Sequence, residues 1–306
     1  MKKILDRIFV DGLSGMAQGL FATLIIGTII QQIGTFAGGN IGDMIYLIGK
    51  MAAGLTGAGI GAGVARKLDA GHLVIVSAAV AGMIGAFAGS LRAGTLLSEG
   101  SLVLSGPGEP LGAFVAAYIA IELGILVSGK TRLDIILTPL VCIGAGSAVG
   151  LLVGPPISGF MAWLGSLINW GTEQQPFLMG IVVSVLMGMI LTLPISSAAL
   201  GVILNLSGLA AGAATIGCCC NMIGFAVASW RENKFSGFLA QGIGTSMLQV
   251  PNIVRHPLIW LPAIFSSAIL GPVGTMLFHM TNNATGSGMG TAGLVGPLMT
   301  WQVMTQ

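Results

Sequence analysis

The sequence predicts an all-α polytopic membrane protein of about 10 transmembrane helices, with broken or re-entrant segments and two pseudo-symmetric halves. Three observations lead to this fold class. The 306 residues are 54% hydrophobic and only 7% charged, whereas an ordinary soluble domain carries about 25% charged residues. Apolar stretches of helical length recur along the chain, and two of them match each other about half a chain apart.

The apolar stretches are close to the length of about 20 residues that crosses ~30 Å of hydrocarbon. Runs of this length favour helices over the strands of about 10 alternating residues that build membrane barrels. Segment 156–170 is the shortest, and it either crosses the membrane or lies in the interface. The predicted segments are 12–36, 43–65, 72–91, 110–128, 134–153, 156–170, 177–201, 205–229, 236–252, 257–279 and 284–304.

Basic residues cluster at the ends of alternate segments and predict which loops are cytoplasmic. By the positive-inside rule, the N-terminus is predicted to be cytoplasmic, and the chain to be a multi-pass protein of the cell (plasma) membrane. The residues that carry this prediction are Lys2, Lys3, Arg7, Arg66, Lys67, Lys130, Arg132, Arg231 and Lys234.

Two matching segments predict an internal repeat. GEPLGAFVAAYIAIELG contains Glu109 directly before Pro110-Leu111, and RHPLIWLPAIFSSAILG contains His256 directly before Pro257-Leu258. Shorter echoes precede them in the same order, since IGAGVA (60–65) corresponds to IGFAVA (223–228), and GMIGAF (82–87) to QGIGTSM (241–247). The chain is therefore predicted to be one transmembrane domain (1–306) with parallel halves, about 9–153 and 177–304.

Four apolar segments are interrupted by proline, glycine or polar residues. Backbone that is not helical cannot face lipid, because each unpaired amide costs several kcal/mol there. Such stretches must be buried in protein or line a wet cavity, and they are typical of substrate sites in transporters. The interruptions are Ser105 to Pro110, Gly154-Pro155-Pro156, Leu193-Pro194-Ile195-Ser196-Ser197, and Asn282 to Gly293.

The sequence contains no signature of a nucleotide site, a hydrolase or a zinc protease. Its charges are too few and scattered for a nucleic-acid surface. The four cysteines, Cys142 and Cys218 to Cys220, lie in apolar segments without metal-ligand spacing. We therefore predict no catalytic residue, metal or cofactor.

Glu109 and His256 are the first candidate site residues. Because they begin matching segments, we expect both at one level of the membrane, facing a central cavity. A carboxylate and an imidazole together suit the hydroxyls of a sugar or polyol. The structural alternative is that Glu109 caps a helix, where a carboxylate favours the dipole, and that His256 is an interfacial residue.

Amide side chains supply further candidates for binding a neutral polyhydroxy solute. Asn282 and Asn283 belong to the most polar interrupted stretch, for which a plain cytoplasmic turn is the alternative. Gln249 and Asn252 end the ninth segment just before His256 and extend the candidate site.

Glu122 is the remaining polar candidate. It lies well inside the fourth segment, where a carboxylate is costly and usually faces a partner or water. We expect it either to be a proton or ion site, or to pair with Lys50.

The stretch from His256 to Trp301 (HPLIWLPAIFSSAILGPVGTMLFHMTNNATGSGMGTAGLVGP…W) resembles the C-terminal region of the phosphotransferase-system enzyme IIC-like membrane proteins. That family includes the perfringolysin O regulator. The resemblance extends over essentially the whole chain, and NNATGSGMGTAGLVGP is its most specific part.

The resemblance implies a sugar-transport-like membrane component that forms a homodimer and binds its solute through a glutamate and a histidine. Phosphoryl transfer in such systems needs IIA and IIB domains, which this sequence lacks, so separate IIA and IIB proteins are implied partners. Two alternatives stay open: a non-transporting sensor or regulator of the same fold, and an ion-coupled carrier outside the phosphotransferase system.

Overall fold

The chain is almost entirely helical in the computed structural model, which describes residues 6–98, 101–104, 106–204 and 206–305. Among these residues, the only strands are β1 (Leu97–Ser98) and β2 (Ser101–Leu102), which form a short antiparallel hairpin. The predicted all-α class is confirmed. The chain divides into two compact units, Met1–Gly159 and Phe160–Gln306.

The first unit contains six helices and most of a seventh. Helix α1 alternates π-helical and α-helical turns, and α2 and α3 are bent by 51° at Leu55. The helices are α1 (Arg7–Ala37), α2 (Gly39–Gly54), α3 (Thr56–Lys67), α4 (His72–Ala86), α5 (Ala88–Arg92), α6 (Pro110–Val127) and α7 (Asp134–Thr172), within which the division into units falls.

The second unit contains two long apolar helices, α10 and α13, and several shorter pieces. A π-helical turn (Ala240–Gly244) and a 3-10 turn (Ser246–Gln249) connect α11 to α12. The helices are α8 (Pro176–Thr192), α9 (Ser197–Ile203), α10 (Gly208–Ala228), α11 (Trp230–Leu239), α12 (Val250–Arg255), α13 (Pro257–Leu277), α14 (Ala284–Ser287) and α15 (Val295–Thr305).

Five helices of the described residues are long and apolar enough to cross a membrane, or six if α2 and α3 together form one span. The count is lower than the predicted 10 because several predicted spans are short or broken. Helix α4 has 15 residues, which at 1.5 Å per residue reach only about 22 Å.

The predicted break at Gly154-Pro155-Pro156 is absent. Segments 134–153 and 156–170 form one helix of 39 residues, α7, with Pro139, Pro155 and Pro156 inside it. Proline removes a hydrogen bond from a helix, but a membrane helix tolerates this loss where neighbouring groups or local adjustments satisfy the freed carbonyls. Composition alone therefore did not determine where this helix ends.

Glycines on two faces of α3 hold the first unit together. Gly59 and Gly63 contact α1, whereas Gly57 and Gly61 contact α4. A Cβ added at Gly57 would lie 2.8 Å from the carbonyl oxygen of Gly82. Small residues are needed here because helices in lipid associate through close backbone packing.

Contacts among the antiparallel helices define two ends of the first unit. Gly15 of α1 packs on Gly63 of α3, so α3 ends beside the start of α1. Gly124 of α6 packs on Val74 of α4, whereas Gly112 packs on Gly85. One end therefore carries the start of α1 and the ends of α3 and α6, and residues 86 and 109 lie at the other end.

Five basic residues of the first unit gather at the first of these ends. Arg7 starts α1, Arg66 and Lys67 end α3, and Lys130 and Arg132 follow α6. Arg92 ends α5 near the other end, and Lys50 lies on α2, so the sidedness that the positive-inside rule gives stays a prediction. Lys2, Lys3 and Ser105 lie outside the described residues.

In the second unit, residues 230–256 fold back on the end of α10 and form the first re-entrant segment. Gly242 contacts Ala226, and the Ser246 hydroxyl lies 2.9 Å from that of Thr192, which also bonds Asn221 of α10. The predicted ninth span, 236–252, is therefore wrong. It consists of short helical pieces packed against the last two turns of α10.

Residues 282–305 form the second re-entrant segment, which approaches from the start of α10. The Asn282 amide donates to the Gly208 carbonyl, and the Thr291 hydroxyl donates to the Met222 sulfur midway along α10. The chain then returns, since the Asn282 side chain donates to the Thr300 hydroxyl at 2.9 Å. The predicted segment 284–304 is thus a hairpin rather than a crossing helix.

Candidate functional site

Glu109 caps the start of α6. One carboxylate oxygen accepts from the Leu111 amide at 3.4 Å, and the Glu109 amide donates to the Ala86 carbonyl at 2.7 Å. Burial raises the pKa of the Glu109 carboxyl from its ordinary 4.5 to about 7. The side chain therefore changes charge near neutral pH, and its second oxygen has no hydrogen bond within the described residues.

His256 occupies the corresponding position at the start of α13. It precedes a 3-10 turn with Pro257 at its first position, as Glu109 precedes Pro110. Its amide donates to the Asn252 carbonyl at 2.8 Å, and its imidazole is exposed without a side-chain cap bond. The two Pro-Leu segments thus share a local structure in which an ionisable residue precedes an apolar helix.

The two segments differ in their position relative to the basic residues of their own unit. Glu109 lies at the end of the first unit away from Arg7, Arg66 and Lys67. His256 lies beside Arg255, at the end of α10 that leads into Arg231 and Lys234. The expected common level of Glu109 and His256 stays a prediction.

A series of hydrogen-bonded amide side chains, the amide chain, runs from Asn252 at the surface to the interior of the second unit. Asn252 donates to Gln249 at 2.8 Å, Gln249 donates to Gln241 at 2.9 Å, and Gln241 donates to the Ser229 hydroxyl at 2.7 Å. Asn252 is exposed, whereas the other three side chains are buried. The structure therefore brings the predicted Gln249 and Asn252 together with His256, and it adds Gln241 and Ser229.

Asn221 is the centre of a second polar cluster that the sequence reasoning missed. Its side-chain oxygen accepts from the Trp260 indole at 2.9 Å, and its amide nitrogen donates to the Ser267 hydroxyl at 3.2 Å. Asn221 is fully buried. The available signal was an asparagine within the apolar run CCCNMIGF, because such a residue is costly in a membrane helix unless it is paired.

Asn282 is buried, and its side chain bonds to neighbouring groups of the second unit. Its amide nitrogen lies 2.7 Å from the Thr215 hydroxyl and 3.2 Å from the Gly296 carbonyl. Asn283 caps α14 through the Gly286 amide at 2.9 Å. Both side chains stabilise the irregular backbone of the second re-entrant segment, so the plain-turn alternative does not describe it.

The interruption at Pro194 meets the second re-entrant segment within the second unit. The Ser197 hydroxyl donates to the Gly288 carbonyl at 2.6 Å, and Gly201 packs against Ala284. Two of the predicted breaks are therefore packed against each other inside protein, where their backbone groups find partners.

Glu122 pairs with Arg7, and the expected pairing with Lys50 is wrong. The Arg7 Nε lies 2.7 Å from a Glu122 carboxylate oxygen, and both side chains are partly exposed. Lys50 is exposed on α2. The ion pair joins the start of α1 to the last turns of α6.

Long apolar helices, tight glycine packing and interrupted segments with buried polar chains define a multi-pass helical membrane protein. Comparison with protein families gives a match to "Phosphotransferase system, EIIC" over residues 10–306. The chain therefore belongs to that family, and the resemblance noted in the sequence is confirmed. A search of curated proteins found no match. Family membership makes the chain a membrane sugar-transport component.

Proposed function

We propose that this protein is the membrane permease subunit of a sugar phosphotransferase system and moves one sugar-like solute by alternating access. The observation that carries the proposal is that two interrupted segments reach α10 from its two ends and contact each other near its last turns, within a chain of this family. Interrupted backbone at that depth is typical of transporter sites. Separate IIA and IIB proteins are the proposed partners, and a homodimer is the proposed assembly.

The solute contacts proposed in the second unit are His256, Asn252 and Gln249. His256 and Asn252 are both exposed and joined by a backbone hydrogen bond, and the buried Gln249 accepts from the Asn252 side chain. An imidazole and an amide supply both donors and acceptors for hydroxyl groups. Asn282 and Asn283 act in this proposal by shaping the backbone of the second re-entrant segment rather than by direct side-chain contact.

Glu109 is proposed as a separate, pH-sensitive solute contact in the first unit. Its spare carboxylate oxygen lies beside the irregular stretch that precedes α6. An ionised carboxylate accepts hydrogen bonds from hydroxyls more strongly than a neutral acid does. Glu122 is not needed as a proton site, because Arg7 already balances its charge.

The proposed location is the plasma membrane. The proposed orientation places the basic end of each unit on the cytoplasmic side. The support is that Arg7, Arg66, Lys67, Lys130 and Arg132 lie at one end of the first unit, and Arg231, Lys234 and Arg255 at one end of the second. The two pseudo-symmetric halves expected from the sequence stay a prediction.

Uptake into proteoliposomes tests this function. Purified protein is reconstituted, and accumulation of labelled hexoses and hexitols is measured with and without IIA proteins, IIB proteins and a phosphoryl donor. The proposal expects uptake that depends on the added proteins. Solute binding without any uptake would favour the sensor alternative, and uptake driven by a proton gradient alone would favour an ion-coupled carrier.

A further inference from the structure

The amide chain of the second unit has a direction that is set at its buried end. The Ser229 hydroxyl donates to the Ala226 carbonyl at 3.3 Å, at the last turn of α10. A hydroxyl has one hydrogen, so toward Gln241 the Ser229 oxygen can only accept. With that hydrogen on Ala226, the 2.7 Å contact places the Gln241 nitrogen, rather than its oxygen, against Ser229.

This direction propagates through two further amides. With its nitrogen on Ser229, Gln241 presents its oxygen to Gln249, whose nitrogen donates to it at 2.9 Å. Gln249 then presents its own oxygen, which accepts from the Asn252 nitrogen at 2.8 Å. Because Gln241 and Gln249 are buried, reversing one amide by itself would leave unpaired groups, which cost about 1–3 kcal/mol each. The Ser229 hydroxyl therefore sets the direction of all three amides together.

The amide chain ends at the surface with the side-chain oxygen of Asn252. Asn252 has its nitrogen turned inward, so its side-chain oxygen faces outward, and that oxygen has no hydrogen bond among the described residues. The backbone carbonyl oxygen of Asn252 also accepts a hydrogen bond from the His256 backbone amide at 2.8 Å. An acceptor of fixed orientation is therefore displayed one helical turn from His256 in the sequence.

We infer that Gln241 and Ser229 are positioning residues of the solute site, which fix the Asn252 side-chain oxygen outward as an acceptor for a solute hydroxyl. This inference rests on the proposed function for the solute, but the orientation of Asn252 stands on the hydrogen bonds alone. It assigns a role to two buried residues that touch no solute themselves.

Side-chain amide exchange tests the orientation without any solute. Full-length protein with ¹⁵N-labelled asparagine and glutamine is placed in nanodiscs, and hydrogen exchange of the Asn252 side-chain amide is followed by NMR. Ser229→Ala and Gln241→Met should accelerate this exchange about tenfold, and Ser229→Thr should restore it. Ser184→Ala is the matched control, because Ser184 is a buried serine that bonds the Ser267 carbonyl elsewhere in the unit.

Binding of D-glucose, D-mannose, D-mannitol and D-galactitol to the same proteins tests the link to the solute. Ser229→Ala should weaken binding of any wild-type ligand about tenfold, with recovery in Ser229→Thr. Wild-type exchange of Asn252 in Ser229→Ala and Gln241→Met would overturn the inference. Altered exchange with no binding of the four probes to wild type would support the Asn252 orientation and reject the proposed function.

Discussion

At the residue scale, Glu109 makes its own end of the first unit sensitive to pH. Its carboxyl has a pKa of about 7 because burial raises the pKa more than the hydrogen bond from the Leu111 amide lowers it. The neutral acid therefore dominates below neutral pH and the carboxylate above it. Sequence reasoning identified this residue from its place before Pro110, but the shifted pKa depends on tertiary burial that spacing does not reveal.

The pH dependence of solute binding should follow this carboxyl. We predict that affinity rises between about pH 6 and about pH 8, because the carboxylate is the stronger acceptor. Glu109→Gln should remove this rise, as measured by equilibrium binding at several pH values. The control is Glu173→Gln, which alters an exposed glutamate. An unchanged pH profile in Glu109→Gln would exclude Glu109 from the site.

The Arg7–Glu122 pair should couple two helices of the first unit. Arg7→Gln and Glu122→Gln should each lower the melting temperature. The double variant should lose less stability than the two single variants lose together. The expected coupling is about 1 kcal/mol, because both side chains are partly exposed. A double-mutant cycle by thermal unfolding in detergent measures it, and strict additivity would show that the pair contributes nothing.

Arg7, the partner of Glu122, could not be predicted from the sequence. Lys50 and Arg7 are both basic residues near apolar segments, and only the packing of α1 against its neighbours decides between them. Arg7 and Glu122 are 115 positions apart. Local spacing predicts contacts within one helix, so it gives no information about a pair this distant.

At the element scale, glycines set how closely helices approach. The structure assigns Gly57, Gly59, Gly61 and Gly63 in alternate pairs to two neighbouring helices. The sequence predicted that backbone interruptions are buried in protein or line a wet cavity, and burial is observed where Ser197 meets Gly288. These features follow from general constraints on backbone in lipid.

Substitution of a packing glycine should destabilise the first unit. Gly57→Leu places a side chain against the Gly82 carbonyl and Ala86 of α4, each 2.8 Å from an added Cβ. We predict a loss of about 1–3 kcal/mol, observed as a lower melting temperature and less monodisperse protein. Gly144→Leu should be tolerated, because nothing lies within 4 Å of an added Cβ there. Equal effects of both substitutions would contradict this packing.

Re-entrant segments were the least predictable elements. Residues 236–252 and a crossing helix have similar apolar composition and length. Two contacts distinguish residues 236–252 from a crossing helix: Gly242 packs near Ala226, and Gln241 bonds to Ser229. Both contacts place this segment at the end of α10. Such contacts depend on the whole fold rather than on local hydropathy.

At the scale of the whole molecule, the placement of basic residues predicts membrane sidedness. In the first unit, Lys67 lies at the basic end and Thr95 follows α5 at the other end. An impermeant maleimide applied to intact cells should label Thr95→Cys but not Lys67→Cys. Permeabilised cells should label both, and wild-type protein provides the background. Labelling of Lys67→Cys alone in intact cells would reverse the proposed orientation.

The central claim is that the end of the second unit that carries His256 and Asn252 binds a sugar-like solute. The most direct measurement is equilibrium binding of hexoses and hexitols to purified protein in nanodiscs, comparing His256→Ala with His72→Ala, an exposed histidine at the start of α4. The account predicts that His256→Ala weakens binding at least about tenfold and that His72→Ala leaves it unchanged. Equal binding by wild type and both variants would contradict the account.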